Sequence, residues 1–163
     1  MSEGEQNEMN TEITEYVAEE LDRLKDLVSE LQNTLKEIEP EIIAPGDKVR
    51  DSYTEDLLKN VEMQDGKIFF AKEAGQIIGF VATYVNQETD EDVEYLYVSD
   101  VAVTKDARGK GVGKLLLDRA EQYARDKNLK FIRISSQVSN DGATRLYRNS
   151  GFNDYLVTLQ KKL

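Results

Sequence analysis

Three glycines at alternate positions, interleaved with cations, form the stretch of this sequence whose residue types best fit a chemical task. The stretch consists of Arg108, Gly109, Lys110, Gly111, Val112, Gly113 and Lys114. Glycine has no Cβ, so the backbone there can adopt positive φ and approach a ligand closely. A helix that begins at such a turn directs its free N–H groups and its dipole at an anion. The stretch therefore predicts a site for a phosphate-bearing ligand.

Two common phosphate-binding motifs do not match these letters. A P-loop needs glycine at the first position and Ser or Thr after the lysine, where Arg108 and Leu115 stand. A dinucleotide fingerprint needs a third glycine where Lys114 stands. Both motifs are excluded, and a tight connection without a ligand remains the alternative interpretation. Lys110 and Lys114 likewise have two interpretations, as ligand-binding charges or as ordinary surface lysines.

The elements around the glycine stretch alternate between strand and helix patterns. The stretch follows the apolar run Val101-Ala102-Val103 and opens an apolar-periodic segment, so it reads as a strand-turn-helix unit. Asn140 and Asp141 can cap a further helix that Gly151 closes. The predicted strands are 67–73, 76–86, 93–103, 130–136 and 152–162, the first two as an antiparallel hairpin, and the helix after the glycines spans 111–127. This order predicts one α/β (α+β) domain with a mixed sheet covered by helices.

The N-terminal third is acidic and helical in pattern. Residues 1–10 are polar, and we expect disorder there, with a single domain over 11–163. A heptad of apolar residues predicts a long helix over 12–38, which either packs on the domain's own sheet or forms a homodimer. A loop is expected over 41–50, and the capping box Ser52-x-x-Glu55 predicts a short helix over 53–62.

Composition narrows the chemistry further. The net charge of −11 lies within residues 1–60, which makes nucleic acid an unexpected ligand and favours a cationic partner. The chain has no cysteine and no histidine, so thiolate chemistry and the usual metal ligands are missing and no metal is expected. No apolar run is long enough for a membrane span and no signal peptide is recognisable, so a cytoplasmic location is expected.

Two sequence blocks resemble the Gcn5-related N-acetyltransferase (GNAT) family. The first is Arg-x-x-Gly-x-Gly at Arg108, Gly111 and Gly113. The second is Asn140-x-x-Ala143-x-x-Leu146-Tyr147-x-x-x-Gly151-Phe152. The resemblance covers residues 67–163. It implies the GNAT-like acyl-CoA N-acyltransferase fold, a central, mostly antiparallel sheet flanked by helices, here with a long N-terminal helix.

The resemblance also implies an N-acetyltransferase that passes the acetyl group of acetyl-CoA directly to a primary amine. Backbone N–H groups of residues 109–114 would hold the CoA pyrophosphate. The strand Val101 to Val103 would bind the pantetheine arm, with the Val103 N–H at the thioester oxygen. Asn140 and Ala143 would contact the cofactor from the other side, and Tyr147 would be the general acid that protonates the CoA thiolate.

The general base and the acceptor are less determined. Many family members carry a glutamate on the fourth strand, where Tyr97 or Ser99 stands here, and simple alternation puts Glu94 and Asp100 on the opposite face. Asp100 is the candidate base, with Tyr97 and water-mediated proton loss as rivals. The acidic N-terminal third favours a cationic acceptor: a polyamine, a lysine side chain or a peptide N-terminus. The alternative function is a non-catalytic CoA-binding or protein-interaction module that uses the heptad helix.

Overall fold

In the computed structural model, which describes residues 10–163, a five-stranded mixed sheet is flanked by four α-helices. The predicted disorder of residues 1–10 falls almost wholly outside the described residues. The elements in chain order are β1 (Thr11–Glu15), α1 (Leu21–Ile38), α2 (Gly46–Met63), β2 (Lys67–Glu73), β3 (Gln76–Asn86), β4 (Tyr95–Val103), α3 (Val112–Asp126), β5 (Ile132–Ile134) and α4 (Asp141–Asn149). The sheet order is β1-β2-β3-β4-β5, with every pairing antiparallel except the parallel pair β4-β5. This confirms the predicted fold class.

The sheet separates two apolar cores. On one face, α3 packs onto a cluster that includes Phe69, Leu96 and Val98, with α4 at its margin. On the other face, α1 and α2 pack onto Phe70, Phe80 and other buried side chains. Both faces are covered, which explains why β2 and β3 read as nearly continuous apolar runs.

The prediction of a helix over residues 12–38 was wrong for its first third. Residues 11–15 form β1, an edge strand antiparallel to β2, and α1 begins only at Leu21. Ile13 packs into the α3-side core, while Tyr16 packs edge-on against Phe70 on the other side at 5.9 Å between ring centroids. The free edge of β2 therefore takes these residues as a strand, since pairing satisfies backbone groups that a helix would leave exposed on β2.

The apolar stripe of α1 faces the sheet of its own chain. Leu24, Leu27 and Val28 are at most 1% exposed, and they contact the core that α2 also covers. Of the two predicted uses of this stripe, packing on the domain's own sheet is the one observed. Val17, the first residue of the heptad, lies before the helix and is 50% exposed.

Helix α2 begins earlier than the capping box predicted. The Asn33 side chain, on α1, accepts a hydrogen bond from the Gly46 N–H at 2.7 Å and so caps α2 from another element. Gly46 lies so close to α1 that a Cβ there would stand 2.2 Å from the Ser29 carbonyl oxygen. The second half of the expected loop 41–50 is therefore helix, and a cap supplied across the fold has no local sequence signal.

The final strand predicted over 152–162 is not formed. No strand is assigned after β5 within the described residues, and every residue from 153 to 163 is exposed. Strand β5 has only three residues, so it offers too short a ladder to hold a long partner. Side-chain contacts hold this segment instead, from Tyr155 to Arg133 and from Lys162 to Glu41 at 2.8 Å.

Candidate active site

The three glycines of the turn before α3 serve two different needs. Gly109 and Gly111 have φ of 74° and 84°, the left-handed region that side chains other than glycine's enter at a cost. Gly113 has another role, because a Cβ there would lie 2.8 Å from the Leu146 Cδ2 on α4. Two glycines therefore shape the turn, and the third lets α3 and α4 approach each other.

The turn presents a row of free backbone donors. The first N–H of α3 with a helical partner is that of Leu115, which donates to the Gly111 oxygen at 3.1 Å. Among the described residues, no acceptor is found for the N–H groups from Gly109 to Lys114. The Val112 side chain is 1% exposed and anchors the helix start in the core, while its N–H stays free. This arrangement suits an anion at the helix N-terminus.

The cations of the turn are placed unequally. The Arg108 side chain donates from Nε to the Val103 oxygen at 3.0 Å and from Nη2 to the Thr34 hydroxyl at 3.2 Å. It therefore ties the turn to β4 and to α1. The Lys114 ammonium pairs with Asp118 at 2.8 Å, whereas no ion pair of Lys110 is found within residues 10–163.

Strand β4 continues past the end of its parallel partner. β5 pairs only with Leu96 to Val98, so the part of β4 from Ser99 onward is open on that side. The Thr104 N–H donates to the Ile78 oxygen at 2.8 Å and so faces β3. Because the N–H and C=O groups of successive residues point in opposite directions along a strand, those of Ala102 also point toward β3. The N–H and C=O groups of Val101 and Val103 point toward the open side. Arg108 reaches the Val103 oxygen from there.

Helix α4 closes the other side of this opening. The Asn140 Oδ1 accepts from the Ala143 N–H at 3.2 Å, the predicted helix cap. Gly151 has φ of 91°, as a closing glycine should. The Tyr147 ring is half-buried and packs edge-on against Phe152 at 6.2 Å. Burial, with smaller contributions from Asp100 and Tyr97, raises the pKa of Tyr147 to about 12.

The placement of Asp100 by simple alternation was wrong. The register shifts between Ala82 and Thr83, so that Ser99 is an extra residue in β4. Leu96 and Val98 pack on the α3 side, but beyond the bulge Val101 and Val103 take that face and Ala102 packs on the other. Asp100 consequently lies on the α2 side, 5% exposed rather than at the surface, on the face where the Tyr53 hydroxyl reaches it.

Asp100 is held by residues that the sequence did not single out. The Tyr53 hydroxyl, on α2, donates to the Asp100 Oδ1 at 2.7 Å. Burial raises the pKa of Asp100, while its hydrogen bond with Tyr53 acts in the opposite direction. The Tyr84 ring lies 5.5 Å from that of Tyr97. No local motif marks Tyr53, because it meets Asp100 only through the packing of α2 against the sheet.

Within residues 10–163, no group of three or more His, Cys, Asp or Glu side chains is arranged to hold a metal ion. None of the helices in that range is long and apolar enough to span a membrane.

Comparisons with known proteins agree with this geometry. Residues 28–152 match the family model described as the acetyltransferase (GNAT) family. An uncharacterized N-acetyltransferase of Methanocaldococcus jannaschii is 31% identical over 92 residues, which are 56% of this chain and 40% of that protein. The chain thus spans less than half the length of this relative. For an uncharacterized N-acetyltransferase of Bacillus subtilis, 29% identical over 98 residues, the shares are 60% and 66%.

Solved structures show the same fold. An aminoglycoside N-acetyltransferase in complex with CoA superimposes with a TM-score of 0.67 at 17% identity, over 94% of this chain and 95% of that one. A Bacillus halodurans protein superimposes with a TM-score of 0.83, also at 17% identity, over 93% and 99%. The family model covers both sequence blocks up to Phe152, and the sheet, turn and helices that carry them have the fold of these structures. The chain therefore belongs to the GNAT family of acetyltransferases.

Proposed function

We propose that this chain is an N-acetyltransferase that transfers the acetyl group of acetyl-CoA to a primary amine by direct attack. The observation that carries the proposal is the row of free N–H groups from Gly109 to Lys114, next to the unpaired half of β4. A diphosphate fits the first feature, and an extended arm with amide groups fits the second. CoA contains both, and a structural neighbour is a complex with CoA.

The cofactor site is built mainly from backbone. The N–H groups of residues 109–114 bind the pyrophosphate, and Lys110 and Lys114 add charge, the latter shared with Asp118. Val101 and Val103 offer their backbone N–H and C=O groups to the pantetheine arm. The backbone groups of Ala102 point toward β3, so this residue only holds its two neighbours in place. Asn140 still has its amide NH₂ for the arm, because only its oxygen caps α4, and Ala143 lies one turn into that helix.

Two groups stabilise the reaction at the thioester. The Val103 N–H donates to the thioester oxygen as negative charge develops there. Tyr147 gives its proton to the departing thiolate. A pKa of about 12 keeps the Tyr147 hydroxyl protonated at neutral pH, which a general acid requires. Its half-buried ring limits competing donation from water.

Asp100 is the proposed base. An alkyl amine is mostly protonated at neutral pH and must lose a proton before it can attack. The pKa of Asp100 is raised by burial, which makes it a stronger proton acceptor than a surface carboxylate. Tyr97 is a weaker candidate, because a phenol hydroxyl is a much weaker proton acceptor than a carboxylate. Water-mediated loss of the proton remains the rival that the Asp100→Asn variant tests.

The acceptor is proposed to be cationic: a polyamine, a lysine side chain or a peptide N-terminus. The net charge of −11 favours such a partner. The acidic segment between α1 and α2 reaches the α4 side of the site, where Glu39 accepts from the Ser139 hydroxyl at 3.1 Å. Ser139 directly precedes the cap residue Asn140, so this negative charge lies beside one of the walls of the site.

The apolar stripe of the heptad helix is buried in this chain, so it cannot serve as the surface of an interaction module. The stripe that would recruit a partner contains Leu24, Leu27 and Val28, which are buried against the sheet. A homodimer stays a prediction that needs another surface. Exposed apolar side chains concentrate near the C-terminus, at Tyr155, Leu156, Val157, Leu159 and Leu163. Sedimentation of the full chain, with and without a Leu156→Asp and Leu159→Asp pair, checks that surface.

The proposal is tested with acetyl-CoA and a panel of amines. The panel includes an alkyl diamine, an alkyl monoamine, a peptide with a free N-terminus and a lysine-containing peptide with that end blocked. We expect amine-dependent thiol release, matched by an acetylated product of the corresponding mass, for at least one cationic acceptor. Saturable binding of acetyl-CoA without thiol release on any amine would contradict the transferase and favour a CoA-binding module.

A further inference from the structure

One oxygen of the Asp100 carboxylate has no partner. Oδ1 accepts from the Tyr53 hydroxyl at 2.7 Å, whereas Oδ2 is buried and has no hydrogen bond within the described residues. Asp100 as a whole is 5% exposed. A buried polar atom without a partner costs free energy, and such an atom in a native fold calls for an explanation such as a missing donor. A donor brought by a ligand is the simplest candidate here.

Tyrosines from three other elements lie near enough to Asp100 to feel its charge, and Tyr53 is the one that bonds it. Its charge contributes to the raised pKa of Tyr53 on α2, Tyr84 on β3 and Tyr147 on α4, after the larger effect of burial. Tyr97 on β4 stands next to Tyr84. No lysine or arginine is among the groups that act on the pKa of Asp100. Asp100 is therefore a buried acid with aromatic neighbours, and no lysine or arginine pairs with it in the described part of the chain.

We propose that Asp100, Tyr53, Tyr84 and Tyr97 form the subsite for the acceptor's ammonium group, and that this subsite selects an amine at the end of an unbranched alkyl arm. The inference rests on the proposed N-acetyltransferase activity. An ammonium supplies both the donor that Oδ2 lacks and the missing positive charge. Tyrosine ring faces attract cations as well.

The depth of the carboxylate sets the shape of the acceptor. Because Asp100 is nearly inaccessible, only a slim group can bring a nitrogen to Oδ2. The terminal amine of an alkyl arm has a CH₂ next to nitrogen and fits this requirement. The α-amine of a peptide has a branched carbon next to nitrogen, which also carries a carbonyl. The subsite thus favours a polyamine or a lysine side chain over a peptide N-terminus.

The proposed subsite also balances the proton transfers. An N–H bond of the bound ammonium breaks, and an O–H bond forms at Asp100 Oδ2. The freed lone pair attacks the thioester carbon, the C–S bond breaks, and the thiolate takes the Tyr147 proton. The new amide nitrogen then gives its extra proton to the Tyr147 oxygen. The products are the acetylated amine, the free thiol of CoA and one proton on Asp100, which passes to water.

Tyr53 is a positioning residue in this arrangement. Its hydrogen bond to Oδ1 leaves Oδ2 as the oxygen that is free for the ligand. The same bond lowers the pKa of Asp100 against the effect of burial. The ionisable groups whose pKa responds to Asp100 are Tyr53, Tyr84 and Tyr147, and Tyr97 lies beside Tyr84. The raised pKa values of Tyr53, Tyr84 and Tyr147 keep these hydroxyls neutral at neutral pH, so Asp100 itself governs the pH dependence of ammonium binding.

The test measures binding of cadaverine, an unbranched alkyl diamine, to the CoA-loaded protein by calorimetry across the acidic pH range. We expect cadaverine to bind wild-type protein more tightly than alaninamide, a branched α-amine. Asp100→Asn should weaken cadaverine binding about tenfold or more, since a buried charge pair is lost. Tyr53→Phe should move the acidic limb of cadaverine binding to higher pH. The matched control is Tyr123→Phe, which removes a buried hydroxyl bonded to the Asp65 carbonyl, outside the site, and should change neither quantity.

Three results would overturn the subsite: equal cadaverine affinity in wild type and Asp100→Asn, alaninamide binding as tight as that of cadaverine, or an unshifted acidic limb in Tyr53→Phe. Because these readouts need no turnover, they separate the two proposals. Asp100-dependent cadaverine binding without thiol release would support the subsite and contradict the transferase. Thiol release on a peptide N-terminus alone would support the transferase and contradict the subsite.

Discussion

The cofactor end and the acceptor end of the candidate site are built from different parts of the polypeptide. At the cofactor end, the groups that meet the ligand are backbone N–H groups, held by glycines at positive φ before α3. At the acceptor end they are side chains, brought together by a β-bulge at Ser99 and by the packing of α2 on β4. A backbone site tolerates many side chains but few changes of conformation, whereas the acceptor end depends on the identity of single residues.

This difference is tested most strongly at Tyr147, which lies between the two ends. We expect Tyr147→Phe to lower kcat by roughly 10²–10⁴-fold, the usual contribution of a general acid, because the thiolate must then leave unprotonated. Acetyl-CoA affinity should change little, since the ring remains. Steady-state kinetics and calorimetry on one preparation measure both quantities. Unchanged kcat would remove Tyr147 from the acid role.

A glycine pair tests whether conformation matters at the cofactor end. Gly111→Ala and Gly75→Ala both place a Cβ at positive φ, 84° and 77°, with no atom within 4 Å. Each should lower the free energy of unfolding by about 1–2 kcal/mol. Only Gly111→Ala should weaken acetyl-CoA binding. The loss should be about tenfold if the N–H groups of residues 109–114 contribute about 1.4 kcal/mol less binding free energy. Denaturation and calorimetry measure the two effects, and equal acetyl-CoA affinities would place the ligand elsewhere.

The acceptor end is expected to reduce the stability of the fold. The pKa of Asp100 is higher in the folded protein, where burial disfavours its charge, than in the unfolded chain. The folded state thus binds the Asp100 proton more tightly, and stability falls as pH rises from the unfolded pKa through the folded one. Asp100→Asn should therefore raise Tm at neutral pH, on the order of 2–4 °C for about 1 kcal/mol. The gain should vanish below the unfolded pKa, and an equal gain at every pH would contradict this origin.

The smallest expected effect concerns a surface charge at the cofactor end. Lys110→Met should weaken acetyl-CoA binding about two- to fivefold at low salt, and less at high salt, because exposed charges are screened. Lys127→Met, which removes a lysine paired with Asp65 instead, serves as the control and should leave acetyl-CoA binding unchanged. An effect of Lys110→Met that does not depend on salt would argue against a purely electrostatic role.

The contrast also explains what could be predicted from the sequence. The turn before α3, the cap at Asn140 and the hairpin of β2 and β3 follow from local signals, and each was confirmed. The identity of β1 could not be predicted in this way, because it depends on the free edge of β2. The start of α2 depends on Asn33, a residue of another helix. These misses share a cause, since long-range contacts override local periodicity.

The candidate site shows the same division. The glycines and Asn140 could be singled out because turn and cap conformations are encoded locally. Tyr147 was singled out by the family resemblance. Asp100 was named but assigned to the wrong face, since one extra residue in β4 reverses the alternation beyond it. Tyr53 was missed altogether. A residue in a predicted helix carries no local mark of the carboxylate that it will meet across the fold.

The division of the site into a cofactor end and an acceptor end is tested most directly by the variant Asp100→Asn. One preparation of it is assayed for acetyl-CoA affinity and for amine-dependent thiol release. The account predicts an affinity within about twofold of wild type, because the backbone cradle is untouched, and a loss of turnover of roughly 10²-fold or more. Turnover equal to that of wild type, or acetyl-CoA binding lost together with turnover, would contradict it.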